Sequence, residues 1–157
     1  MRNLLLFITV IFATIPGFSQ TTFKKNTFYA ELAGNGGFLS VNYERQMGNK
    51  PGLGLHIGIG LGDSKPDVPL GISYMYNLGN NKSFIEAGAG VTLAEQSLWD
   101  LHVPNQDSYP YKVAFIPSIG YRHHTQYGLM WRINYTPIFT KYRNIPLFFG
   151  VSVGWRI

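Results

Sequence analysis

The sequence predicts an all-β chain, an eight-stranded antiparallel up-and-down barrel that crosses a membrane. Three observations carry that expectation. Apolar residues recur at every second position in eight separate runs, the period that puts one set on one face of a strand. The alternate positions hold glycine, small polar residues and charges. Only 13% of the 157 residues are charged, about half the share usual in soluble proteins. A soluble ligand-carrying barrel reverses the arrangement, with apolar residues inside and a dense outer face of Lys and Glu.

The first segment reads as an export signal. Arg2 gives the positive start, Leu4 to Ala13 the apolar stretch and Pro16-Gly17 the break. Gly17 and Ser19 are small residues three and one positions before a cut, which predicts cleavage after Ser19. The expected organisation is a signal over 1–19 and a barrel domain over 20–157. The apolar run is too short for a spanning helix, which needs about 20 residues. The chain has no cysteine, so it forms no disulfide and carries no lipid-modified cysteine. Without Arg2 the net charge falls from +5 to about +4, spread along the chain. A nucleic-acid partner would want a clustered basic patch, so none is expected.

The strands follow in order. The first, about Thr27 to Ala33, shows Phe28, Ala30 and Leu32 on one face, and Gly34-Asn35-Gly36-Gly37 turns the chain. The second, about Phe38 to Gln46, shows Leu39, Val41 and Tyr43. Gly48-Asn49-Lys50-Pro51 leads into the third, Gly52 to Gly62, where Leu53, Leu55, Ile57, Ile59 and Leu61 alternate with glycine and His56. After a loop over Asp63 to Pro69, the fourth strand alternates Leu70, Ile72, Tyr74, Tyr76 and Leu78. A Gly-Asn-Asn-Lys turn precedes the fifth, Ser83 to about Glu95.

The longest interruption is Gln96 to Pro110. The sixth strand, Tyr111 to Arg122, holds Val113, Phe115, Ile119 and Tyr121 in phase, with Pro117 predicting a bulge or kink. His123 to Tyr127 reads as a turn, and the seventh strand shows Leu129, Trp131, Ile133 and Tyr135. Ile138 to Pro146 reads as a loop. The last strand alternates Leu147, Phe149, Val151, Val153, Trp155 and Ile157. Tight turns after strands two, four and six and longer connections after three, five and seven give the asymmetry of outer-membrane barrels, with both termini periplasmic. The connection at Gly34 to Gly37 is short where that scheme wants a long one.

The polar face carries Glu31, Glu44, Glu86, Lys112, Arg122, Arg132 and Arg156. Inside an eight-stranded barrel, just wide enough for side chains to fill, these charges are expected to pair, because an unpaired buried charge costs several kcal/mol. The expectation is a salt-bridged plug and no open pore.

With the signal ending Gly17-Phe18-Ser19, the strand couplets and the terminal "PLFFGVSVGWRI", the mature chain resembles the small outer-membrane barrels typified by outer membrane protein X and by the membrane domain of outer membrane protein A. The segment "WRINYTPIF" is similar to the seventh strand of many short barrel proteins. The resemblance implies a porin-like fold in a Gram-negative outer membrane. It also implies contact with outer-membrane lipid and lipopolysaccharide, and recognition of the last strand by the barrel-assembly machinery. Ile157 stands where that class most often ends in an aromatic residue. The likeness is architectural and transfers no activity.

Some barrels of this size modify lipid A, and His123, His124 and Thr125 sit together. An esterase also needs a carboxylate to orient its imidazole, and no Asp or Glu follows Asp107. A solvated turn is the plainer reading, so no catalytic residues are assigned. His56 and His102 lack neighbours at metal-ligand spacing, so neither a metal nor another cofactor is expected. The glycines of "GLGLHIGIGLG" lack the following helix that a phosphate loop requires. Trp99, Leu101, His102 and Tyr109 in the long connection are the expected surface for an external contact. The functional expectation is a non-enzymatic barrel with a structural or surface-interaction role; the alternatives are a lipid A-modifying hydrolase and a soluble lipocalin-like carrier.

Overall fold

The computed structural model describes residues 23–61, 66–94, 112–141 and 144–157. Ten strand segments follow one another: β1 (Asn26–Leu32), β2 (Leu39–Gln46), β3 (Leu53–Gly60), β4 (Val68–Asn77), β5 (Ser83–Ala94), β6 (Lys112–His124), β7 (Leu129–Tyr135), β8 (Ile138–Thr140), β9 (Asn144–Ile145) and β10 (Phe149–Arg156). The order β5-β4-β3-β2-β1-β10-β7-β6, with β5 pairing again with β6, closes a ring of eight antiparallel strands. Closure leaves no free edge. Backbone bonds between Asn26 and Ile157 in both directions extend the seam where the first and last strands meet.

The alternation of the sequence is the alternation of the barrel wall. Phe28, Leu32, Val41, Leu55, Ile57, Ile59, Ile72, Ile133 and Val151 face outward and are exposed, and Ile59 keeps 65% of its surface. Thr27, Glu31, Asn42, Glu44, Ser73, Glu86, Arg132 and Ser152 face inward and are buried. Each is one residue out of phase with an outward apolar neighbour, as a pleated strand requires. The rings of Phe28, Tyr43, Tyr74, Tyr76, Tyr121, Trp131 and Trp155 fall in the strand halves next to the chain termini.

The last two barrel strands are longer than the sequence suggests. The segment expected as a loop, Ile138 to Pro146, instead contains β8, paired with β6, and β9, paired with β8. β8 continues β7, and β9 leads into β10 through an offset of one residue. That offset is a bulge near Pro146 and Leu147. It reverses the phase, so Ile145 and Phe148 both pack on an inward cluster of Ala114, Ile116 and Ile138.

Pro117 makes no bulge. The β5–β6 register runs unbroken through Ala89 opposite Pro117, and β6 keeps the same register with β7 and then with β8. What changes is hydrogen bonding. His124 donates its N–H to Lys82 on the β5 side, and Thr136 donates to Phe148 on the β10 side. Strand alternation therefore aims the nitrogens of Pro117 and Pro137 at each other across the wall. Neither has a hydrogen to give, so the ladder is interrupted between Phe115 opposite Phe139 and Ile119 opposite Tyr135.

The sixth strand also runs further than expected. His123 and His124 lie within β6 rather than in a turn. Their side chains consequently diverge, with His124 buried inside against Phe84 and His123 outside against Tyr121 and Trp131.

Candidate functional site: the luminal charge cluster and an inward turn

Four adjacent strands bring one inward row into line. Arg122 of β6 stands opposite Arg132 of β7, Arg132 opposite Ser152 of β10, and Ser152 opposite Glu31 of β1. Glu44 from β2 and Glu86 from β5 reach the same level from the facing wall. All five charged groups are at most 2% exposed. Arg122 grips Glu44 with a two-pronged pair, Nη1 to Oε1 at 2.5 Å and Nη2 to Oε2 at 2.6 Å. Its Nε lies 2.5 Å from Glu86 Oε2.

Arg132 spans the other side of the cluster. Its Nη1 donates to Glu86 Oε1 at 2.9 Å, its Nη2 to Glu31 Oε1 at 3.0 Å and its Nε to Ser152 Oγ at 3.1 Å. The guanidinium carbon also sits 4.4 Å over the Tyr29 ring. Two planar guanidinium groups thus hold three carboxylates. Arginine suits the task because its fork matches carboxylate geometry and its charge is permanent. Gln46 Nε2 adds a bond to Glu44 Oε1 at 2.9 Å.

Of the charges assigned to the lumen from sequence, Glu31, Glu44, Glu86, Arg122 and Arg132 meet here. Arg156 does not. It sits too close to the chain termini, where its Nη2 donates to the Lys24 carbonyl at 3.0 Å and its guanidinium lies over Phe23. The Lys112 side chain and the contact loop with Trp99, Leu101, His102 and Tyr109 lie outside the described residues, as does the predicted signal segment.

The short β1–β2 connection accounts for its own brevity. It folds inward, and Gly34, Asn35, Gly36 and Gly37 are all buried. The chain reverses through positive φ at Ala33 (59°), Gly34 (87°) and Gly37 (83°). Gly36 is wedged so closely that a Cβ there would overlap the Ser40 side chain. Asn35 fastens the turn at three points. Its N–H donates to Glu31 Oε2 at 3.2 Å, its Nδ2 lies 3.2 Å from His56 Nε2, and its carbonyl accepts from Thr92 Oγ1 at 2.5 Å. Glu31 therefore binds the turn with one oxygen and Arg132 with the other. Sequence reading missed this role for Asn35; the signal was a glycine-rich connection too short for its end of the barrel.

The cluster is bounded along the barrel axis. Toward the termini lie Met75, Phe84, His124 and Met130, all buried. Toward the other end lie the inward turn and the Ala114–Ile116–Ile138 cluster. Among the described residues no group of three or more His, Asp or Glu is placed to hold a metal ion. Every carboxylate of the cluster already faces a guanidinium, so what the arrangement does chemically is neutralise charge inside a narrow wall. No protein-family model, curated protein or solved structure matches the chain.

Proposed function

We propose that the chain is an integral outer-membrane β-barrel of the small class typified by outer membrane protein X, exported by a cleaved signal. Its role is structural or surface-interacting, its lumen is sealed by side chains, and it catalyses no reaction. The observation that carries this reading is the inversion of the wall, with aliphatic side chains exposed all round and ion pairs enclosed. Soluble monomers rarely expose an apolar patch above a few hundred Å²; here every barrel strand exposes apolar side chains outward, with Arg45 and His123 as polar exceptions near one end. A closed barrel is also one of the two architectures that satisfy their own backbone in lipid. The inward turn and the Arg–Glu cluster support the sealed lumen, because both occupy its section with bonded groups.

In this reading the chain termini lie on the periplasmic side and the long connections outside, where they meet lipopolysaccharide and an external partner. The assembly machinery receives the last strand. Reconstitution tests the reading: the mature chain enters lipid vesicles, resists added protease over the barrel, and gives no steady conductance in planar bilayers. A chain that stays monomeric in buffer without detergent would instead be a soluble carrier. Altered lipid A from an overexpressing strain, read by mass spectrometry, would favour a hydrolase.

A further inference from the structure

We infer that the end of the barrel nearest the chain termini is a binding surface for anionic phospholipid, with the outward-facing His123 donating to the lipid phosphate. This rests on the membrane reading above. The first observation is the partition of charge. Outside the luminal cluster, Asp67 is the one acidic side chain among the described residues, and it pairs through its backbone with Gly60 at the opposite end. Among the described residues the terminal end has no acidic side chain in its turns or flanks, and it exposes Arg45, Lys50 and Lys82. A rim whose charged side chains are basic favours an anionic leaflet.

The second observation is a built cluster of polar groups on the outer wall at that end. Tyr121, His123 and Ser83 sit together on β5 and β6, with Trp131 beside them on β7. Tyr121 Oη lies 2.9 Å from Ser83 Oγ, and each hydroxyl lies 3.4 Å from His123 Nδ1. Asn80 Nδ2 donates to Ser83 Oγ at 3.1 Å. Two hydroxyl hydrogens serve these contacts. One of them bridges the tyrosine and the serine, and the other can point at Nδ1. In that arrangement Nδ1 accepts and Nε2 carries a ring hydrogen.

Stacking on Trp131, with ring centroids 5.6 Å apart and planes 29° from parallel, holds the imidazole on the outer wall. Among the described residues Nε2 has no hydrogen-bond partner. A ring N–H donor, on a wall that is apolar one step further along, matches a phosphodiester joined to acyl chains. Inorganic phosphate would use the donor and ignore the wall, and diacylglycerol would use the wall and ignore the donor.

The test uses the full mature chain refolded in maltoside micelles. It is titrated separately with phosphatidylglycerol, phosphatidylcholine, diacylglycerol and inorganic phosphate. Retained lipid is read by native mass spectrometry and the His123 ring by nitrogen NMR. Phosphatidylglycerol is expected to be retained over phosphatidylcholine and to shift the His123 Nε2 signal. His123→Ala should lower its retention about fivefold, the size of one lost polar contact, while His123→Gln, which keeps a donor, recovers part of it. Lys82→Gln, in an exposed turn, should lower the preference for the anionic lipid without touching the ring cluster. Equal retention of diacylglycerol and phosphatidylglycerol overturns the inference, as does His123→Ala behaving like the parent, or inorganic phosphate alone reproducing the ring shift. Failure of the parent chain to need micelles at all would sink the membrane reading instead, and shows before any lipid is added.

Discussion

Arg122 and Arg132 stand directly opposite one another across the β6–β7 ladder, both turned inward, and Glu86 touches both, at 2.5 Å and 2.9 Å. Two like charges side by side in a buried row are tolerable only because carboxylates from three other strands surround them. Glu31, Glu44 and Glu86 come from β1, β2 and β5, so the cluster ties the two halves of the wall across the lumen.

Removing one member should therefore cost more than removing a pair. Arg132→Met leaves Glu31 and Glu86 short of a partner, and the expected loss is about 3–5 kcal/mol. Adding Glu31→Gln to Arg132→Met should return part of that loss. Urea unfolding in vesicles measures both, and strictly additive effects would show that the two groups do not interact.

The inward turn yields a second expectation. In Gly36→Val the new side chain collides with Ser40, so the turn cannot seat, and overpacking of this kind costs about 1–3 kcal/mol. Planar bilayers should show brief conductance steps for Gly36→Val against a silent parent. A variant as stable and as silent as the parent would remove the turn from the seal.

Pro117 and Pro137 predict a gain. In Pro117→Ala an N–H becomes available to the Pro137 carbonyl in an otherwise unchanged register, worth about 0.5–1.5 kcal/mol. Hydrogen exchange should find the new amide at position 117 as protected as those of Phe115 and Ile119. Fast exchange there would mean that the strands part at this point for another reason.

Much of this fold was legible in the chain. The period of two fixed which residues face out, from Phe28 to Trp155, because a barrel wall leaves each strand only two faces. The five clustered charges were legible as inward for the same reason. What a period cannot give is position along the axis, so Arg156 was grouped with charges that it does not reach. Nor does it reveal a connection that folds back into the lumen: Asn35 looks like any turn residue until His56 and Thr92 arrive from other strands. The loop expected at Ile138 to Pro146 failed because Pro137 and Pro146 look like strand breakers. In the barrel one faces another proline and the other marks a bulge, and the chain stays extended through both.

Charge placed on the outer wall separates lipid from water. Ile57→Arg and Val151→Arg should each cost about 2–4 kcal/mol if the positions lie near the middle of a bilayer. A water-facing surface would accept either change at little cost, as denaturant titration of the refolded chain would show.

The most direct test of the central claim is collision accessibility of spin labels at Leu55, Ile57 and Val151 in vesicles. Three outward positions on two strands are enough to decide it. Labels facing lipid will collide frequently with oxygen, which concentrates in acyl chains, and will be protected from a water-soluble nickel chelate. Labels open to the chelate and poor in oxygen contact would contradict that claim.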